Sequence, residues 1–131
     1  VLSGTGATGF NLGYYGSKKA GLQKIDRIYL FESPIDLLSG IALFSNIIEE
    51  NVLFLSMGGC KYGILDTYLT EDIKQISFFG DNDKAGNETF TKIKQTYGDK
   101  YIIKDGRNFL RKANVKDFNE LLLLKNNQKT A

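Results

Sequence analysis

The sequence predicts an α/β domain with a four-stranded, mainly parallel sheet flanked by helices. Two observations carry this. Four short apolar, β-prone runs fall near residues 27–31, 51–59, 74–80 and 100–104, and the segments between them carry turn residues or helical spacing. Strands alternating with helices at such intervals indicate βαβ units and a parallel sheet. In addition, the first three runs each end in a carboxylate or a glycine turn, the chemistry expected where a strand gives way to a loop.

Taken in order, residues 1–22 hold six of the 14 glycines and no sustained period. They are expected to form a loop or a short hairpin ahead of a domain covering residues 23–131. "RIYLF" (27–31) is the first strand. Ser33 is a candidate N-cap and Pro34 suits the first helical turn, where its missing N–H costs nothing. Leu37, Leu38, Ile41, Phe44 and Ile48 then recur at helical spacing. "NVLFLSMGG" (51–59) is a second strand, followed by a short helix near 65–72. "KQISFFG" (74–80) is the third strand. Phe90, Ile93 and Tyr97 mark one face of the next helix, which closes near Gly98. "KYIIK" (100–104) is the fourth strand, and "VKDFNELLLLKN" (115–126) is a final helix with four leucines covering more than one face.

The 131 residues suffice for one domain with a real core, and 42% hydrophobic with 24% charged residues is ordinary for a globular protein. A net charge of +2 does not by itself argue for nucleic acid. No run approaches a membrane span and nothing resembles a signal peptide, so no membrane partner is expected. The single cysteine, Cys60, precludes an internal disulfide and fits a reducing cytoplasm. Histidine is absent, so metal chemistry would have to run on carboxylates. The chain begins at Val1 rather than Met, and is expected to be a piece of a larger protein.

"GTGATG" (4–9) matches the dinucleotide fingerprint but lacks a following helical period, and that motif works only between a strand and a helix. More informative are Glu32, directly after the first strand, and Asp81 and Asp83 in "FFGDNDKAGNETF" (78–90), after the third. The C-terminal edge of the sheet is where ligands bind in open α/β folds. If those strands are neighbours, about 5 Å apart, three carboxylates converge. They would repel one another and drift toward protonation unless a cation offsets them, and a hard divalent ion such as Mg²⁺ suits oxygen ligands. The same aspartates also suit turn formation and helix capping. Asp36, one helical turn after Glu32, fits either a supporting role behind the ligands or a helix-start acid. Gly58 and Gly59 would let backbone N–H groups approach a phosphate, or simply make a turn.

Glu32 after the first strand, a glycine turn after the second and Asp-x-Asp after the third together resemble the Toprim domain, a Rossmann-like fold shared by bacterial primases, topoisomerases and certain nucleases. The likeness spans about residues 25–125. "FESPIDLLSG" is similar to the E-S-x-I-D-x-L-S segment of Toprim-like proteins accompanying primase and mobilisation modules of plasmids and transposons. "DNDKAG" resembles the D-x-D-x-A-G form of primases, and "KDFNELL" (116–122) a K-D-x-N segment near the end of such domains.

The resemblance implies that Glu32 is a general acid/base or metal-linked group and that Asp81 and Asp83 are ligands of Mg²⁺, with Mn²⁺ as an alternative. Lys84, Lys104, Arg107, Arg111 and Lys112 have no such match. They are basic residues near an expected phosphate path, and a solvated surface explains them as well. Lys116, Asp117 and Asn119 match the K-D-x-N motif, in which Lys116 is a further candidate phosphate contact and Asp117 a candidate helix cap. The implied activity is Mg²⁺-dependent phosphoryl transfer by the catalytic core of a primase-like protein of a mobile element. The implied partners are single-stranded DNA or an RNA/DNA primer–template, nucleotides, and other domains of the full-length protein. A Toprim nuclease and a non-catalytic module binding DNA or a protein partner are the alternatives. Zinc-binding cysteines, a polymerase extension and a topoisomerase tyrosine domain are absent from the sequence.

Overall fold

The computed structural model describes residues 10–14, 25–44, 52–58 and 62–130. Along the chain run β1 (Phe10–Tyr14), β2 (Arg27–Phe31), α1 (Pro34–Phe44), β3 (Val52–Ser56), a 3-10 turn (Tyr62–Ile64) leading into α2 (Leu65–Tyr68), β4 (Gln75–Phe79), α3 (Lys84–Tyr97), β5 (Ile102–Asp105), α4 (Asn108–Ala113) and α5 (Phe118–Thr130). The sheet order is β1-β3-β2-β4-β5. The four expected strands are parallel to one another, and β1 pairs antiparallel with the outer edge of β3. This fifth strand lies within the segment expected to be loop or hairpin. Its five residues, FNLGY, include Gly13, which obscures any alternation. The other unexpected element is α4, too short for its apolar residues to establish a period.

β2 occupies the middle of the sheet because the chain leaves it for β3 on one side and returns to β4 on the other. The strand order reverses there, so a crevice opens above the carboxyl ends of β2 and β4, the usual ligand position in such sheets. Phe31 pairs with Phe79 in register, which brings the residues following each strand side by side. The condition on which the converging carboxylates depended is met.

Side-chain alternation sorts the core into two layers. Ile28, Leu30, Leu55, Ile76 and Phe78 face α2 and α3, where Leu65, Ile93 and Tyr97 cover them. Phe31, Phe54 and Phe79 face the other way, against Leu37 of α1, Leu110 of α4, and Phe118 and Leu121 of α5. In this second layer the rings of Phe31 and Phe79 stack at 5.2 Å. The Phe118 ring meets them edge-on at 5.7 and 5.6 Å.

Arg107 locks the far side of the crevice. Only 2% exposed, it donates from Nε and Nη2 to the two carboxylate oxygens of Asp105 at 2.9 Å each. Its Nη1 donates to the Asp81 carbonyl at 3.1 Å and to Asn87 Oδ1 at 2.8 Å. The guanidinium also lies 5.1 and 5.3 Å from the Phe78 and Phe90 rings. Arg107 therefore leaves the group of candidate phosphate contacts, because its charge is consumed inside the fold. Burial would raise the Asp105 carboxyl, but hydrogen bonds from Arg107 and Arg111 outweigh it and hold the pKa at about 2. Removing one member of a buried pair strands the other. Arg107→Leu is accordingly expected to lower the unfolding free energy by about 3–5 kcal/mol. Urea unfolding measures this, and adding Asp105→Asn should recover part of the loss by removing the stranded charge.

Candidate metal centre

Each segment entering the crevice is fixed by local chemistry that the sequence specifies. Ser33 caps α1: the Asp36 N–H donates to Ser33 Oγ at 3.2 Å, and the Ser33 hydroxyl donates to Asp36 Oδ2 at 2.9 Å. Asp83 caps α3, its Oδ1 accepting the Gly86 N–H at 2.7 Å. Gly86 is required at that turn, since a Cβ there would lie 1.9 Å from the Asp81 carbonyl oxygen. Asp117 caps α5 by accepting the Glu120 N–H at 2.8 Å, while Glu120 reaches back to the Lys116 N–H at 2.8 Å.

Asn82, the residue between the two aspartates, joins the loops. Its N–H donates to the Lys116 carbonyl at 2.7 Å and its side-chain amide to the Val115 carbonyl at 3.1 Å. This draws the K-D-x-N segment over the crevice and gives that motif a structural role. The Asn119 N–H donates to Asp36 Oδ1 at 3.1 Å, and Asn119 Oδ1 accepts from the Ser39 hydroxyl at 3.3 Å. Lys116 Nζ sits 3.8 Å from Asp83 Oδ2 and 4.0 Å from Asp81 Oδ2.

Asp36, Asp81 and Asp117 each present one carboxylate oxygen within 4.8 Å of the others. Among the described residues this is the carboxylate group compact enough to hold a metal ion, and it differs from the expected set of Glu32, Asp81 and Asp83. Asp81 is common to both. Glu32 faces the backbone N–H of Asp81, close enough to feel the charges of Asp83, Asp36 and Lys116. Asp36 stands among the potential ligands rather than behind them. Asp117 combines capping with membership of the cluster, and no short-range signal distinguishes a cap from a ligand. Gly58, at φ 56°, makes the turn after β3, whereas Gly59 and Cys60 lie outside the described residues. Lys84, Lys104 and Lys112 are exposed. Arg111 is half-exposed and bonds Asp105 Oδ2 at 2.9 Å.

The electrostatics are those of a site short of positive charge. Burial, then the neighbouring Glu32, Asp36, Asp83 and Asp117, push the Asp81 carboxyl up to about 7. Burial also raises Glu32 against the opposing Asp81 N–H, and raises Asp36 against hydrogen bonds from Asn119 and Ser33. Asp81 Oδ1 is buried and accepts no hydrogen bond from a described residue. An unpartnered carboxylate oxygen amid like charges fits a hard divalent cation, which would supply the missing charge and a ligand for that oxygen.

The family model described as Toprim-like matches residues 29–122, well over half of the chain. The chain belongs to the Toprim-like family. A solved structure of a protein from Aquifex aeolicus is similar to it, with a TM-score of 0.56 and 23% identity over 72% of this chain and 84% of the other. That likeness concerns the fold. No curated protein matches the chain significantly. Toprim domains bind Mg²⁺ through acidic residues and act on nucleic acids, and this chain carries a group of three aspartates. Among the described residues, no helix is long and apolar enough to cross a membrane.

The pH dependence follows from Asp81. Its pKa is raised from 3.8 to about 7, so the folded state holds a proton that the unfolded state has released. The resulting stabilisation is complete below about pH 4 and is lost as pH rises through about 7. Asp105, held at about 2, acts in the opposite sense and only on the acid side of this window. The melting temperature of the metal-free protein should therefore fall between about pH 5 and pH 8. Asp81→Asn should flatten that fall, and Mg²⁺ should raise the melting temperature of the wild type but not of the variant. Thermal melts across pH, with and without the ion, test this.

Proposed function

We propose that the Toprim-like chain is the catalytic core of a primase-type nucleotidyltransferase of a mobile element, performing Mg²⁺-dependent phosphoryl transfer on nucleic acid. The observation carrying this reading is Asp81, a partly buried carboxylate whose buried Oδ1 accepts no hydrogen bond from a described residue, with four other carboxylates near it at a topological switch point. In this reading Asp36, Asp81 and Asp117 hold the ion, and Glu32 and Asp83 add negative charge beside Asp81. A divalent ion bound there would offset charge developing on the transferring phosphoryl group.

The protein's own residues have distinct tasks in this reading. Asn119 and Ser33 orient Asp36 by donating to its two oxygens. Lys116 offsets charge beside Asp81 and Asp83 and in this reading meets a phosphate oxygen. Glu32, with its carboxyl raised by burial, holds a proton more readily than an exposed glutamate. It therefore serves as the group that takes a proton from an attacking hydroxyl or gives one to a leaving oxygen.

The test uses the full-length protein with single-stranded DNA, nucleotides and Mg²⁺. Primers are the expected product, whereas shortened DNA fragments would assign hydrolysis to the same carboxylates. Asp81→Asn and Glu32→Gln should each remove nearly all activity while folding and DNA binding persist. General acid–base catalysis alone contributes about 10²–10⁴-fold. Full activity in a folded Glu32→Gln protein would sink the catalytic reading and leave a non-catalytic binding module as the better answer.

A further inference from the structure

A cleft of about 230 Å³ opens from Glu32 along the outer face of α3. One wall is Ala85, Thr89 and Lys92, spaced so that they share a helical face. The opposite wall is Met57, at the end of β3, and Tyr62, at the start of the 3-10 turn. Neither Thr89 nor Lys92 makes a side-chain hydrogen bond or ion pair with a described residue, although both line this space. Tyr62 is braced: its ring meets Tyr97 at 6.3 Å and 87°, and the Tyr97 hydroxyl donates to Asp66 at 2.8 Å.

We propose that this cleft seats the nucleotide adjoining the reacting phosphate, with its base against the Tyr62 ring and its far phosphate on Lys92. The inference rests on the nucleic-acid reading above and adds a direction and a footprint to it. Charge along the cleft is ordered. Glu32 stands near Asp81 and Asp83 at the start of α3, and Glu88 and then Lys92 follow at successive turns along the helix. A phosphate is repelled from the middle and accepted at the ends, one through a bound cation and the other directly. The middle suits a neutral base and sugar, whose hydrogen-bond donors Glu88 can accept.

Dimensions agree. From Ala85 to Lys92 the helix rises roughly 10 Å. The volume is below the about 300–1,000 Å³ of pockets that enclose whole drug-sized ligands. Room for one nucleotide unit is what remains. Recognition by an aromatic face and an ammonium is tolerant of sequence, because every base has a π-face and every nucleotide a phosphate.

Binding of a fluorescein-labelled single-stranded oligonucleotide to the full-length protein, followed by anisotropy across salt concentrations with Mg²⁺ present, tests the cleft. Tyr62→Ala should weaken binding about 5- to 150-fold, the cost of one base–aromatic stack, and Tyr62→Phe should restore it. Lys92→Ala should reduce the slope of log K against log salt by about 0.7, one single-strand phosphate contact. Lys100→Ala, an exposed lysine beyond the end of α3, should leave that slope unchanged. Lys92 is exposed and its variant tests the proposal even if Tyr62→Ala folds poorly. If the wild type binds and both cleft variants match it in affinity and slope, the cleft assignment fails while the catalytic reading stands. If the wild type binds no oligonucleotide, the nucleic-acid reading falls and the cleft assignment with it.

Discussion

The packed rings of Phe31, Phe79 and Phe118 fix the spacing of the carboxylates above them. Each ring lies within two residues of one: Phe31 precedes Glu32, Phe79 is followed by Gly80 and Asp81, and Phe118 follows Asp117. All three rings are buried on one face of the sheet, so the layer that drives folding also aims three chain segments at one point. Two unit charges at the 4.8 Å limit of the aspartate group repel by about 3–4 kcal/mol at an effective dielectric constant near 20. Burying one phenylalanine side chain contributes about 1.5–3 kcal/mol, and each aromatic pair adds about 0.5–1.5 kcal/mol. The ring cluster is thus large enough to hold together groups that electrostatics would push apart.

Protonation and pairing relieve the remaining repulsion. Asp81, the most crowded carboxyl, rises to about 7, and Lys116 supplies a nearby positive charge from a half-exposed position. Arg107 contributes from behind through position rather than charge: its cation is paired with Asp105, and its remaining donors hold the Asp81 carbonyl and Asn87. Asp81 is therefore held at its backbone while its Oδ1 accepts no hydrogen bond from a described residue. Such a site is costly in a metal-free fold and well matched to a divalent ion.

The K-D-x-N segment links site to scaffold. Asn82 ties its backbone to the β4–α3 loop, and Asn119 ties it to Asp36 and, through Ser39, to α1. A loop from one end of the chain thereby orients a carboxylate from the other. Changes in this segment should be felt at Asp36 first, because the Asn119 N–H is one of two donors fixing its oxygens.

Local sequence determined a good deal. The four parallel strands, the caps at Ser33, Asp83 and Asp117, and the placement of Glu32, Asp81 and Asp83 at one edge follow from short-range patterns, in which a residue and its near neighbours carry the information. β1 did not stand out because Asn11 and Gly13 break its apolar run, and α4 because six residues are too few to establish a helical period. Three things were decided only by tertiary structure. Arg107 turned inward because Asp105 and two aromatic rings surround it, whereas its sequence neighbours suggested a basic surface strip. Asp36 and Asp117 joined Asp81 because α1 and α5 pack side by side and Asn82 bridges the loops. Tyr62 and Lys92 came to line one cleft because β3 ends and α3 begins at the same edge of the sheet. Asp105 aside, the partners are far apart in sequence, and only the packed sheet and its helices bring them within reach.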